Sequence, residues 1–526
     1  MFDSVTRHAF IPAVLLALLL PATVRADDAP PAAAPHHSEA KPSDAKGAPK
    51  GDSESAHGAT SAADHRRLPP DSVTKHTLAL PGRSLAFTAT AGAIRIFNDK
   101  GEPQADLVTT AYQLDGADPA TRPVTFVFNG GPGASSAWLQ FGSNGPWRIA
   151  MQAGTDGLSA TSALEPNAET WLDFTDLVFI DPLGTGYSRM VASSDDAKKH
   201  FFTVDGDVAS IALVIRRWLE KADRMQSPKF ITGESYGGIR GPKIVHNLQT
   251  RQGIAIKGLV LISPALDFGD VIGTGMTRFV ASLPSMAAVA REKEKGGTLT
   301  RADMADVETY ARGDFLADLM KGQADKEATT RLADRFAALT GIDREESRRL
   351  AGRFDVSEFR RAFDRRNGKV TGRYDGSVLG FDPYPDSSSA DFGDPSETPL
   401  LAPLTAAAYE LYTHKLNWRP EGSYELLNGA VNRAWDFGKN RSGVQSMTDI
   451  RDILAADPKL KLLVAHGLYD LATPYFGTQI RLDQLPAFGS RDRVKLVVYP
   501  GGHMFYSRDM SRQALRDTVR AMMKAE

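Results

Sequence analysis

From about Asp71 the chain breaks into short segments in which apolar and polar positions alternate: KHTLAL, SLAFTAT, AIRIFN and ADLVTTAYQL, separated by PGR, AGA and DKGEP. Period-two alternation bounded by turn residues predicts half-buried strands, here an antiparallel meander of four segments. The pattern then changes. PVTFVFNGG (123–131) and DLVFIDPLG (176–184) are nearly continuous apolar runs that end in glycine-rich loops, and VDGDVASIALVIRRWLEKA (204–222) has the spacing of an amphipathic helix. PKFITGE, a helical stretch and IKGLVLISP continue the alternation of strand and helix. Strands apolar on both faces belong to a parallel sheet covered by helices. After Pro264 the alternation stops, and residues 270–455 predict a mostly helical, charge-rich insertion, with runs such as AAVAREKEKG and KEATTRLADRFAALTG. KLKLLVAHG and RVKLVVYPGG restore the buried-strand pattern, and SRDMSRQALRDTVRAMMKAE predicts a closing helix. The fold class is α/β: a mostly parallel central sheet, an N-terminal antiparallel meander, and a helical cap inserted between two parts of the core, residues 69–269 and 456–526.

The head of the chain has a different character. Arg7 and His8 precede an apolar run, Ile11 to Leu20, followed by Pro21 and small residues to Ala26. This is the layout of a secretory signal peptide over residues 1–26. The run is shorter than the roughly 20 residues a span needs, so no stable membrane insertion is expected after cleavage. Residues 27–68 are a low-complexity mix of Ala, Pro, Ser, Asp, Lys and His, too poor in apolar side chains to offset ordering, and predict a disordered linker. The net charge of −2 gives no reason to expect a nucleic-acid partner. The chain has no cysteine, which excludes disulfides, thiolate catalysis and cysteine-ligated metal centres. Export without cysteine fits a bacterial periplasm, with secretion as the other destination. The patterns carry no signal for an oligomeric state.

The candidate chemistry starts at ITGESYGGIRG (231–241). Gly233-Glu234-Ser235-Tyr236-Gly237 follows a strand and precedes a helix, the context of a nucleophile elbow, in which a sharp turn lifts the serine above the sheet and glycines two positions either side are expected to allow close packing. A hydroxyl nucleophile needs a base. His503 lies in a loop after the last predicted strand, whereas His246 is inside a helix and His466, at a strand end, reads as structural. The base needs an orienting acid: Asp470 follows the penultimate strand, and Asp181, also at a strand end, is the alternative. The order Ser235, Asp470, His503 is that of α/β-hydrolases. A second glycine-rich loop, FVFNGGPGASS (126–136), lacks the lysine of a phosphate-binding loop, and Pro132 has no N–H to give; such a loop after an early strand can instead aim N–H groups at an acyl oxyanion.

NGGPGASS and GESYGG, with FIDPLGTGYS, HGLYDLATP and PGGHM, resemble the blocks of the serine carboxypeptidase family, peptidase family S10. The similarity runs from about Pro123 to the C-terminus, with the insertion poorly matched. It implies a serine-type carboxypeptidase that removes C-terminal residues from peptides through an acyl-enzyme on Ser235, with no metal or cofactor. It also implies that Asn129 and Glu234 bind the substrate's terminal carboxylate and that Gly131 and Tyr236 supply oxyanion-hole N–H groups. Two features depart from the family: Ser143 stands where a second glutamate is usual, and Ala134 replaces a cysteine. An esterase or acyltransferase on the same scaffold is the alternative, and a catalytically dead binding protein is a third reading that the intact triad opposes.

Overall fold

The structure is a computed structural model that describes residues 68–151, 163–387 and 392–524; the predicted signal segment and all of the linker but Leu68 lie outside the described residues. Nine strands form the continuous path of the main sheet: β1 (Ser72–Leu80), β2 (Arg83–Phe97), β3 (Pro103–Leu114), β4 (Val124–Phe128), β5 (Asp176–Ile180), β6 (Lys229–Glu234), β7 (Gly258–Ile262), β8 (Lys461–Gly467) and β9 (Val494–Tyr499). Their order is β1-β2-β3-β5-β4-β6-β7-β8-β9, and a two-residue strand, Arg189–Met190, pairs with β3 off this path as the tenth strand of the sheet. The first three strands and the β3–β5 pair are antiparallel; from β5 to β9 every pair is parallel. Chain order reverses at β4, whose neighbours β5 and β6 lie on opposite sides. In open α/β sheets, ligands bind at the carboxyl ends of the strands where such a reversal occurs.

The meander has three strands, not four. SLAFTAT and AIRIFN are one strand, β2, paired without interruption through Gly92↔Thr109. Leu85, Phe87, Ala89 and Ala91 face one core, and Ile94 and Ile96 face the other. The strand therefore changes which face it buries near Gly92. In sequence, that change of phase looks like a break between two strands.

The two cores lie on the two faces of the sheet. Helix Val204–Lys221 opens with Thr203 accepting from Gly206 N–H and carries Asp205 and Asp207 in its first turn, both favourable at a helix N-terminus. Between β7 and β8 come helices Thr277–Lys295 and Lys326–Thr340, several shorter helices, a small hairpin (Lys369–Thr371 with Leu379–Phe381) and helix Thr398–Glu410. Helices Thr277–Lys295 and Lys326–Thr340 share a core that includes Val280, Leu283, Phe315, Leu332 and Phe336 and is continuous with Leu468, Tyr469, Leu471 and Tyr475, which follow β8, whereas Leu400 and Leu404 of helix Thr398–Glu410 join one of the sheet's two cores. Arg481 reaches Asp270 through two bonds of 2.8 and 2.7 Å, joining the helix after β8 to the start of this segment.

Candidate active site

Four of the residues singled out in the sequence sit beyond the carboxyl end of a parallel strand, Asn129 after β4, Ser235 after β6, Asp470 after β8 and His503 after β9, and Glu234 is the last residue of β6. Ser235 has φ of 60°, in the left-handed region that a non-glycine residue enters only at a cost. Its backbone is held there by three bonds: Ser235 N–H donates to Ile262 O (3.0 Å), and its carbonyl accepts from Gly238 N–H (2.8 Å) and Ala265 N–H (2.9 Å). The side chain is left partly exposed. A Cβ on Gly233 would lie 2.8 Å from Gly237 O, and one on Gly238 would lie 2.4 Å from Pro264 Cβ, whereas one on Gly237 would meet nothing closer than 3.7 Å. The close approach thus rests on Gly233 and Gly238, a correction to the expectation that the glycines flanking the serine by two both serve it.

His503 and Asp470 are buried and directly bonded, Nδ1 to Oδ2 at 2.8 Å. The other carboxylate oxygen of Asp470 accepts from Ala472 N–H (2.8 Å) and Thr473 N–H (2.9 Å). Thr473 Oγ1 lies 2.7 Å from Asp470 Oδ2 and 3.0 Å from His503 Nδ1. With Nδ1 committed to the acid, the tautomer with its proton on Nδ1 leaves the Nε2 lone pair available. Burial alone would lower the His503 pKa, but the Asp470 charge and hydrogen bond outweigh it and the net shift is upward. Among the described residues, no hydrogen bond joins His503 to Ser235. Catalytic bonds of this kind often tighten only when substrate is bound.

Both loops are stitched to one stretch of the insertion. His503 N–H donates to Tyr374 O, Gly376 N–H to Tyr469 O (2.9 Å), and Leu471 N–H to Arg373 O (3.1 Å). The rings of Tyr374 and His503 lie edge to face, 5.3 Å apart. Residues 373–376 therefore hold the acid and histidine loops together.

The β4 loop lies against the elbow. A Cβ on Gly130 would fall 2.4 Å from Tyr236 N and 2.6 Å from Glu234 O. The hydrogen bonds among described residues leave the N–H groups of Gly131 and Tyr236 without an acceptor. Asn129 Nδ2 donates to Glu234 Oε2 (2.5 Å), and Asn129 Oδ1 accepts from Leu139 N–H (3.2 Å). Burial raises the Glu234 carboxyl to about 7, against the lowering effects of His503, Tyr506 and Asn129. Beside the elbow, Tyr236 packs against Phe268, Trp435 and Phe437 at centroid distances of 6.2, 5.7 and 6.3 Å, the last two contributed by the insertion.

The structure separates the rivals. Asp181, the alternative acid, accepts from Ser136 N–H (2.8 Å) and Oγ–H (2.7 Å) and from Tyr424 (3.3 Å), so it anchors the loop after β4 and bonds no histidine. His466 is fully buried, bonds Thr478 Oγ1 at 3.0 Å, and is pushed down to about 3 by burial, so it stays neutral. Ser143 is buried with no partner for its hydroxyl. Sequence reasoning missed Tyr506, whose hydroxyl lies 3.0 Å from each oxygen of Glu234. It also missed Arg240, which pairs with Asp207 (2.6 Å) and donates to Asn129 O. An aromatic residue near His503 and an arginine in an amphipathic helix carry no distinguishing signal, because a sequence does not show which polar groups are buried.

Comparison with known proteins agrees with this geometry. Residues 110–308 match the family model described as serine carboxypeptidase, a span that includes Asn129, Glu234 and Ser235 and ends before Asp470 and His503. The venom serine carboxypeptidase of Apis mellifera is 29% identical over 168 residues, covering 30% of this chain and 33% of that protein. Serine carboxypeptidase-like 44 of Arabidopsis thaliana is 31% identical over 208 residues, covering 37% of this chain and 39% of that protein. The matches thus span less than half the length of these curated relatives. Among solved structures, Kex1, a prohormone-processing carboxypeptidase from Saccharomyces cerevisiae, aligns with a TM-score of 0.50 at 15% identity, over 83% of this chain and 91% of its own. The chain has the α/β-hydrolase fold and resembles the serine carboxypeptidase family.

Proposed function

We propose that this protein is a serine-type carboxypeptidase that releases C-terminal residues from peptides, with Ser235 as nucleophile, His503 as base and Asp470 as orienting acid. The observation that carries the reading is the Asn129–Glu234 pair set one residue from the elbow serine, together with a buried Asp470–His503 pair. His503 Nε2 takes the Ser235 proton as Oγ bonds to the last peptide carbonyl carbon. The resulting oxyanion is held by the N–H groups of Gly131 and Tyr236. His503 then returns the proton to the leaving amine as the C–N bond breaks. Water, deprotonated by the same imidazole, attacks the acyl-enzyme and frees Ser235. Asn129 Nδ2 and a protonated Glu234 offer donors to the terminal carboxylate, which is what distinguishes a carboxypeptidase from a general esterase.

The domain plan belongs to the same proposal: residues 270–455 act as a cap, and Trp435 and Phe437 give it an apolar wall beside the elbow. Residues 1–26 act as an export signal to the periplasm or beyond. No helix of the described residues is long and apolar enough to cross a membrane. A panel of blocked dipeptides with their matching amides and esters tests the activity. Free acids should be cleaved in preference to amides; amides cleaved better at every pH would replace the carboxypeptidase with the esterase or endopeptidase alternative.

A further inference from the structure

Glu234 is a carboxyl at a buried site, and the resemblance would give it a second carboxyl as neighbour. The position aligned with that carboxyl holds Ser143, whose hydroxyl is buried without a partner. The space beside it is filled from elsewhere in the chain. The Tyr506 ring packs on Gly142 so closely that a Cβ there would lie 2.6 Å from Tyr506 Cε2. The Tyr506 hydroxyl is then centred on Glu234, 3.0 Å from Oε1 and 3.0 Å from Oε2. Both side chains are buried, and Arg512 Nη1 fixes the Tyr506 carbonyl at 3.0 Å. Tyr506 lies three residues beyond His503, so one loop carries both the base and the partner of the carboxyl.

We propose that Tyr506 is a positioning residue of the carboxylate-recognition site: its phenol, in place of a second carboxyl, fixes Glu234 and sets the pH at which the enzyme stops accepting a free C-terminus. The inference rests on the carboxypeptidase reading above. The two partners act in opposite directions. A neighbouring carboxylate disfavours ionisation of Glu234, whereas the Tyr506 hydroxyl donates to both carboxyl oxygens, and donation favours the ionised form. Burial keeps the Tyr506 phenol protonated well past neutrality, so it remains a donor throughout the working range. The other groups facing Glu234 are His503 and Asp470, from the two catalytic loops, and the neutral Asn129. Arg240 is held by Asp207 and reaches the Asn129 carbonyl instead. Tyr506 therefore supplies one of the few forces that oppose burial, and losing it should leave Glu234 protonated to higher pH.

The test is kcat/KM against pH for wild type, Tyr506→Phe, Glu234→Gln and the double variant, on a blocked dipeptide acid and its ester. A hydrogen bond to a charged group corresponds to about one pH unit. Tyr506→Phe should therefore move the alkaline limb on the acid upward by about one unit, and should change nothing further when added to Glu234→Gln. An unmoved limb, a downward shift, or a shift that persists in the Gln background overturns the proposal. If the phenylalanine variant does not fold, 3-fluorotyrosine at position 506 makes the test in the opposite sense: a stronger donor should lower the limb, and no shift counts against the proposal. If wild type has no alkaline limb specific to the acid, the carboxypeptidase reading fails and this inference falls with it. If Glu234→Gln abolishes the limb while Tyr506→Phe leaves it in place, only the role of Tyr506 is lost.

Discussion

His503 can act as a base only while neutral, and Glu234 can donate to a carboxylate only while protonated. Each charge biases the other: ionised Glu234 raises the His503 pKa, and protonated His503 lowers that of Glu234, which burial holds at about 7. The two limbs of a pH profile on free-acid peptides therefore belong to the pair. On such substrates, activity should fall as pH rises through about 7, where Glu234 ionises. Glu234→Gln should remove that alkaline limb, and because it also removes a negative charge near His503, the acid limb should move to lower pH. Titrating kcat/KM for both proteins checks the two signs together. Ser235→Ala should abolish fluorophosphonate labelling, and His503→Ala and Asp470→Asn should each cost on the order of 10⁴ in turnover. Asp181→Asn should cost far less, since its partners are Ser136 and Tyr424. Ser235 and His503 were legible in the sequence because their blocks combine glycines with a strand end. Asp470 and Asp181 both follow a buried strand; chain order after Ser235 favours Asp470, and the folded loops show that Asp470 is the carboxylate that meets the imidazole.

The helix Gly237–Arg251 does more than begin after the serine. Its first turn packs against Pro264 and Ala265, and Arg240 joins it to Asp207 on helix Val204–Lys221 and to the Asn129 carbonyl. Both ionic groups are buried, so removing the arginine leaves Asp207 uncompensated; Arg240→Leu should destabilise by about 3–5 kcal/mol, measurable by denaturant unfolding. Gly238→Ala forces a Cβ to within 2.5 Å of Ala265 O and should lower both melting temperature and kcat, whereas Gly237→Ala, with its nearest neighbour at 3.7 Å, should be much milder. Equal effects of the two would contradict the packing described for the elbow. The buried parallel strands were legible almost residue by residue, since a short run that is apolar at every position fits a sheet covered by helices on both sides. The long β2 was not, because it buries one face for half its length and the other face for the rest.

At the scale of the whole molecule, the proposed catalytic acid and histidine are held by a stretch between β7 and β8 that lies, like them, outside the span the family model matches. Residues 373–376 bind the loop of Asp470 through Tyr469 O and Leu471 N–H, and the loop of His503 through its N–H. Insertion of one alanine between Arg373 and Tyr374 should shift this register. A displacement of about 1 Å can cost on the order of 10² in rate, so kcat should fall by roughly that factor. The melting temperature should change little, because the buried sheet is untouched. A rate within a few-fold of wild type would show that the loops hold themselves. That helices follow β7 was legible from where the alternation stops, but the grip of residues 373–376 on both loops was not, because backbone hydrogen bonds between segments far apart in the chain leave no side-chain pattern. The consequence concerns inheritance. A cap tied only to the rim could be exchanged between lineages as a cassette, carrying a new substrate preference onto an unchanged engine. Here the cassette includes a bearing of the engine, so a transplant that replaces residues 373–376 along with the helices must bring a matching pair of loops with it.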